Sequence, residues 1–182
     1  MPDAGGAPVT RRTRWIGWSV LALVYVVSYF HRTAPTVLAK SLMADFSATG
    51  AEVATMAALY LYVFAALQFV VGAVVDAWGP RRVVSGGALL MAAGAFLFSA
   101  ARGLPVAYGA RLVVGAGASV VFIGTLKYVA AWYRPDEFAT LAGLTQLAGN
   151  TGALLSATPL AWAVATAGWR PTFAGVAAAT AG

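Results

Sequence analysis

Residues 28–38 read SYFHRTAPTVL, and with Tyr25 just upstream they set Tyr25, Tyr29 and Arg32 at i, i+4 and i+7. In a helix that spacing lines two phenols and a guanidinium along one face. A guanidinium is a planar fork of donors, and flanked by phenolic hydroxyls it suits two-point contact with a carboxylate, phosphate or similar oxyanion. His31, beside it, is the only histidine in the chain, and an imidazole titrates near neutral pH. The opposing reading makes His31 and Arg32 an interfacial pair, with the long side chain snorkelling to the outer surface, and the depth of Arg32 decides between them. Gln146 and Asn150 share a helical face at i, i+4 and are further candidates to line a pathway. Gln68 is the strongly polar residue of a long apolar run and either lines that pathway or hydrogen-bonds a neighbouring helix. Arg111 lies inside another apolar run, where a charge must face protein or a water-filled cavity.

The solvent for these groups is lipid. Of 182 residues, 60% are hydrophobic and 10% charged, with a mean hydropathy of +0.78, against about 25% charged in an ordinary soluble domain. The net charge of +6 raises nucleic acid as a partner, but the basic residues are dispersed and form no stripe that could track phosphates, so none is expected. Without cysteine, and with one histidine and six scattered acids, the chain offers no disulfide framework and no metal-ligand cluster. No metal, cofactor or covalent catalysis is expected.

A helix needs roughly 20 apolar residues to cross the hydrocarbon core. Runs of that length cover about 15–38, 53–75, 83–101, 105–129 and 138–163, and a sixth begins near 171, after GWRP, and stops before it could cross. The expectation is an all-α polytopic membrane protein, a fragment with five complete spans and the start of a sixth, behind a cytoplasmic tail at 1–14. The first run is too long and aromatic, and too closely followed by other spans, to be a cleaved signal. With the N-terminus inside, the cytoplasmic side carries Arg11, Arg12, Arg14, Arg81, Arg82, Lys127 and Arg134, and the other side Lys40, Arg102 and Arg170. Seven against three favours that orientation. Lys127 either snorkels to the inner interface or shows itself to an inward-open cavity.

Between the second and third runs stands GAVVDAWGPRR. Gly72 and Asp76 share a face at the end of the second span, where a glycine lets a neighbouring helix approach closely. Asp76 can accept from a neighbouring helix's N-terminal amides or pair with Arg81 or Arg82, while Gly79 and Pro80 break the helix. The set Gly72, Asp76, Gly79, Arg81 and Arg82 resembles the loop signature that the major facilitator superfamily carries after its second span. A second signature, an intramembrane arginine followed by Gly-x-Gly in span four, is matched by Arg111, Gly115 and Gly117. The resemblance runs from about Arg14 onward and implies the N-terminal six-helix half of a twelve-helix transporter.

What the resemblance implies for function is a secondary transporter of a small solute, working by alternating access in the plasma (cell inner) membrane. Gly72, Asp76, Gly79, Arg81 and Arg82 would act as gate residues, and Arg111 as a structural or coupling residue more than a ligand. The placement of Arg32 is similar to the first helix of the anion:cation symporters and organophosphate antiporters, where an arginine binds an anionic substrate. Symporters of that branch have an acid before this arginine and another after the span-four glycines; here His31 and the pair Ala118 and Ser119 stand there, leaving His31 as the proton candidate for symport or antiport. Nitrate porters of the superfamily have an arginine in span two, where this chain has Gln68. The expected substrate set is Arg32, Tyr29, Tyr25, His31, Gln68, Asn150 and Gln146; the expected partners are the solute, a co-transported proton or ion, the lipid bilayer and the C-terminal half. A non-transporting scaffold or sensor on the same fold is the alternative.

Overall fold

The computed structural model describes residues 10–181, so most of the expected N-terminal tail, residues 1–9, lies outside the described residues. Eight helices and their short turns account for the described chain: α1 (Arg11–Val37), α2 (Ala39–Phe46), α3 (Gly50–Trp78), α4 (Pro80–Ala100), α5 (Leu104–Trp132), α6 (Pro135–Leu155), α7 (Thr158–Ala167) and α8 (Trp169–Ala181). By length and composition α1, α3, α4 and α5 can each cross a membrane.

Local chemistry sets the helix starts. Thr49 and Glu52 close a reciprocal capping box at α3, Thr49 N donating to the Glu52 carboxylate at 2.7 Å and Glu52 N to Thr49 Oγ1 at 3.3 Å. The α3–α4 turn is Gly79 alone, at φ +80°, followed by Pro80 in the first turn of α4. A left-handed residue and then a proline with φ already preset reverse the chain at once.

The expected fifth span, about 138–163, is not one helix. Pro159 has no N–H for the Leu155 carbonyl, and its ring crowds the preceding turn. Ser156 N still bonds Gly152 O at 3.1 Å, but Ala157 N turns to Leu154 O, and a new helix starts where Ala161 N bonds Ala157 O at 3.0 Å. Residues after the first span also fold, as the short helix α2.

Packing is organised around α5. It runs parallel to α3, with hydrogen bonds linking residues 55, 51 and 55 positions apart along its length, and antiparallel to α4, its most extensive partner. There Gly87 and Gly117 face one another: a Cβ on Gly117 would lie 2.5 Å from Gly87 O, and one on Gly87 2.6 Å from Gly117 O. Helix association in lipid relies on this kind of close backbone approach, because the tails are as apolar as the side chains. The second unit pairs α1 with α6, in parallel. Arg170 closes the end opposite the Gly79 turn, donating to Ser99 O at 3.1 Å, to Ala101 O, and to Asp45 of α2 at 2.7 Å. Outward, Leu23, Phe69, Phe96, Leu147 and Trp162 are exposed, as a bilayer-facing surface permits.

Candidate functional site

The α1–α6 contact brings four of the expected residues together. Tyr25 Oη donates to Gln146 Oε1 at 3.2 Å, and Gln146 Nε2 donates to Tyr29 Oη at 2.7 Å. The tyrosine rings meet edge to face at 4.9 Å, Tyr25 stacks on Phe122 of α5 at 5.2 Å, and the Arg32 guanidinium lies 5.5 Å from the centre of the Tyr29 ring. Gly149 makes room for the phenols: a Cβ there would lie 2.7 Å from the Tyr25 ring and 3.1 Å from that of Tyr29. Tyr25 is buried, Tyr29 and Gln146 half-buried, and Arg32 exposed, so the cluster opens outward at the guanidinium. Asn150 is exposed one turn beyond Gln146 on α6.

The other expected residues lie elsewhere. Gln68 donates from Nε2 to Ser119 O at 3.1 Å, the interhelical bond between α3 and α5. His31, next to Arg32 in sequence, points into the interior: it is fully buried against Phe173, with Nε2 3.3 Å from Thr180 Oγ1 on α8. The Thr180 hydroxyl gives its own hydrogen to Val176 O, so His31 Nε2 carries the donated proton. Consecutive helical residues differ by about 100° in direction, and this rotation separates the imidazole from the Arg32 face.

Arg111 is 1% exposed and crosses three helices. It donates to His31 O on α1 at 2.9 Å and to Met56 O on α3 at 3.4 Å, and its guanidinium sits 4.9 Å over the Tyr60 ring. Pro35 explains the first bond. An unbroken α1 would satisfy the His31 carbonyl with the N–H of residue 35, which a proline lacks; Arg111 Nη1 takes that place. Gly115 lets α5 reach α3, a Cβ there falling 2.7 Å from Tyr60 O, while Gly117 meets α4.

At the Gly79 end, Asp76 pairs with Lys127 of α5, not with Arg81 or Arg82, which are exposed. The same ammonium bonds Gly72 O at 2.9 Å. Among the described residues Gly72 serves no close packing, since a Cβ there would meet nothing within 4 Å; its carbonyl accepts from Lys127. A cavity of about 890 Å³ between α1, α4 and α5 is lined by Gly17, Leu21, Arg81, Arg82, Ser85 and Tyr128. It is mostly apolar and does not include the Tyr–Gln–Arg cluster, where polar groups from α1 and α6 converge.

A model of the Major Facilitator Superfamily matches residues 21–182. The chain is 27% identical over 161 residues to an uncharacterized transporter of Bacillus subtilis, 24% over 162 residues to a probable sulfoacetate transporter of Cupriavidus necator, and 26% over 170 residues to the hexuronate transporter of Escherichia coli. These matches cover 88%, 89% and 90% of this chain but 37%, 38% and 38% of the relatives, so the chain spans less than half the length of the curated relatives it matches. With that match and four apolar helices of membrane-crossing length, this is a multi-pass integral membrane protein, and the chain belongs to the Major Facilitator Superfamily.

Proposed function

We propose that the chain is the N-terminal half of a secondary transporter that carries a small anion by alternating access, the solute lying between this half and its C-terminal counterpart. The observation that carries the reading is the hydrogen-bonded Tyr25–Gln146–Tyr29 cluster opening at the exposed Arg32. Its free groups are donors, as an oxyanion requires. Relatives described as transporters of sulfoacetate and of hexuronate, both anions, support the same solute class. In this reading Arg32 and Tyr29 contact the solute, and Asn150, exposed on the same side of α6, extends the site. His31, enclosed against α8, and Gln68, bonded to α5, act on the solute through helix packing. The N-terminus faces the cytoplasm of a plasma membrane, and Gly72, Asp76, Gly79, Arg81 and Arg82 form the inner gate, with Lys127 holding Asp76 while the two halves are apart.

Uptake by proteoliposomes containing the full-length protein tests this. Sulfoacetate or a hexuronate is expected to accumulate at least tenfold faster than into empty vesicles, with a neutral hexose excluded. Folded protein that moves none of these anions, or prefers the neutral sugar, would contradict the reading and favour a non-transporting scaffold.

A further inference from the structure

We propose that Tyr25 and Gln146 are positioning residues that fix the Tyr29 hydroxyl as a hydrogen-bond donor beside Arg32, so that Tyr29 is the second donor to the solute's oxyanion. The inference rests on the anion reading above and adds the direction of each hydrogen bond to it. A primary amide has one accepting end and one donating end. Here Tyr25 Oη donates to the accepting end at 3.2 Å, and the donating end gives its hydrogen to Tyr29 Oη at 2.7 Å. The Tyr29 oxygen is thereby occupied as an acceptor, and its own hydrogen is left to point elsewhere.

Burial fixes which way the amide faces. Tyr25 is 5% exposed and pinned by Phe122 and by the space over Gly149. Turning the amide round would take the Gln146 acceptor away from the buried Tyr25 hydroxyl and give it to Tyr29, which reaches the open side and has other partners there. Buried polar groups are satisfied before exposed ones, because only the exposed ones have water to fall back on. The chain Tyr25 to Gln146 to Tyr29 therefore runs from the interior outward and ends in a free O–H. The Arg32 guanidinium lies 5.5 Å from the centre of the same ring, so the Tyr29 hydroxyl and the guanidinium offer donors to one oxyanion from two directions.

A double-mutant cycle separates positioning from contact. In the full-length protein, affinity for glucuronate, a carboxylate, and isethionate, a sulfonate, is measured by calorimetry for wild type, Tyr25→Phe, Tyr29→Phe and the double variant, with thermal unfolding as the check on folding. For whichever probe binds, Tyr29→Phe is expected to weaken affinity on the order of 10- to 100-fold, as befits a hydrogen bond to a charged group. Tyr25→Phe, which never touches the solute, should cost roughly 3- to 10-fold, and the double variant should bind no more weakly than Tyr29→Phe alone. Multiplying losses, or wild-type affinity in Tyr25→Phe, would overturn the positioning role and leave the anion reading standing. A wild type that binds neither probe would overturn both.

Discussion

Arg32→Lys is expected to weaken binding of the transported anion on the order of 30- to 1,000-fold although it keeps the positive charge, with no comparable loss of fold stability. A charge-assisted two-point pair in a partly dry site contributes about 2 to 4 kcal/mol, and an ammonium cannot present two coplanar donors to one oxyanion. Lysine also loses the guanidinium's contact with the Tyr29 ring, 5.5 Å from its centre. Arg32 is exposed and makes no ion pair among the described residues, so the fold of these residues does not depend on its charge. Titration calorimetry on the full-length protein reads the change directly. A snorkelling arginine would tolerate lysine, because both reach the interface, and near-equal affinities would therefore move Arg32 out of the site.

The second large effect belongs to Arg111 and Pro35 taken together. Arg111→Leu strands the His31 carbonyl, because Pro35 supplies no backbone donor to it. An unsatisfied buried carbonyl costs about 1 to 3 kcal/mol, and no water in the hydrocarbon core offsets it. The same change also removes a charge buried without a carboxylate partner, which acts in the opposite direction, so the single variant is ambiguous. The cycle is not. In a Pro35→Ala background the residue 35 N–H returns to His31 O, and the cost of the stranded carbonyl disappears while every charge effect remains. The coupling energy between the two positions is therefore expected at about 1 to 3 kcal/mol, read by thermal or denaturant unfolding in detergent. Additive effects would mean that Arg111 is not the stand-in donor for α1.

Much of this architecture is legible in the sequence because lipid imposes a coarse rule: runs of sufficient length must be helices. Four of the runs fold as single apolar helices, and the Gly79–Pro80 break falls where a left-handed glycine and a preset proline place it. The pairing of Tyr25, Tyr29 and Arg32 is also legible, since three positions on one helix fix their own relative directions. Rotation about the helix axis is not. In a chain apolar on nearly every side, no polar stripe says which face packs, so nothing local sends His31 to α8 and Arg32 to the open side. Partners from distant helices are equally hidden: Lys127 stands 51 residues beyond Asp76, and the nearby arginines are the more obvious choice. The division of the fifth run did have a signal. Pro159 removes one ladder bond, and the hydropathy that hides the loss is insensitive to hydrogen bonding. Pro35 carries the same message in α1, and there the missing donor is replaced from α5.

The central claim is that the anion lies beside Arg32, on the open face that α1 and α6 share, and the chain's lack of cysteine makes this directly measurable. Asn150→Cys places a single thiol on the exposed face of α6 one turn from Gln146, in a full-length protein from which any cysteine outside these residues has been removed. The rate of its modification by a membrane-impermeant thiol reagent is followed with and without solute. The transported anion is expected to slow labelling severalfold, a neutral sugar to leave it unchanged, and Arg32→Lys to abolish the protection at the same anion concentration. Labelling at one rate with and without an anion that the protein demonstrably transports would contradict the account and put the solute elsewhere.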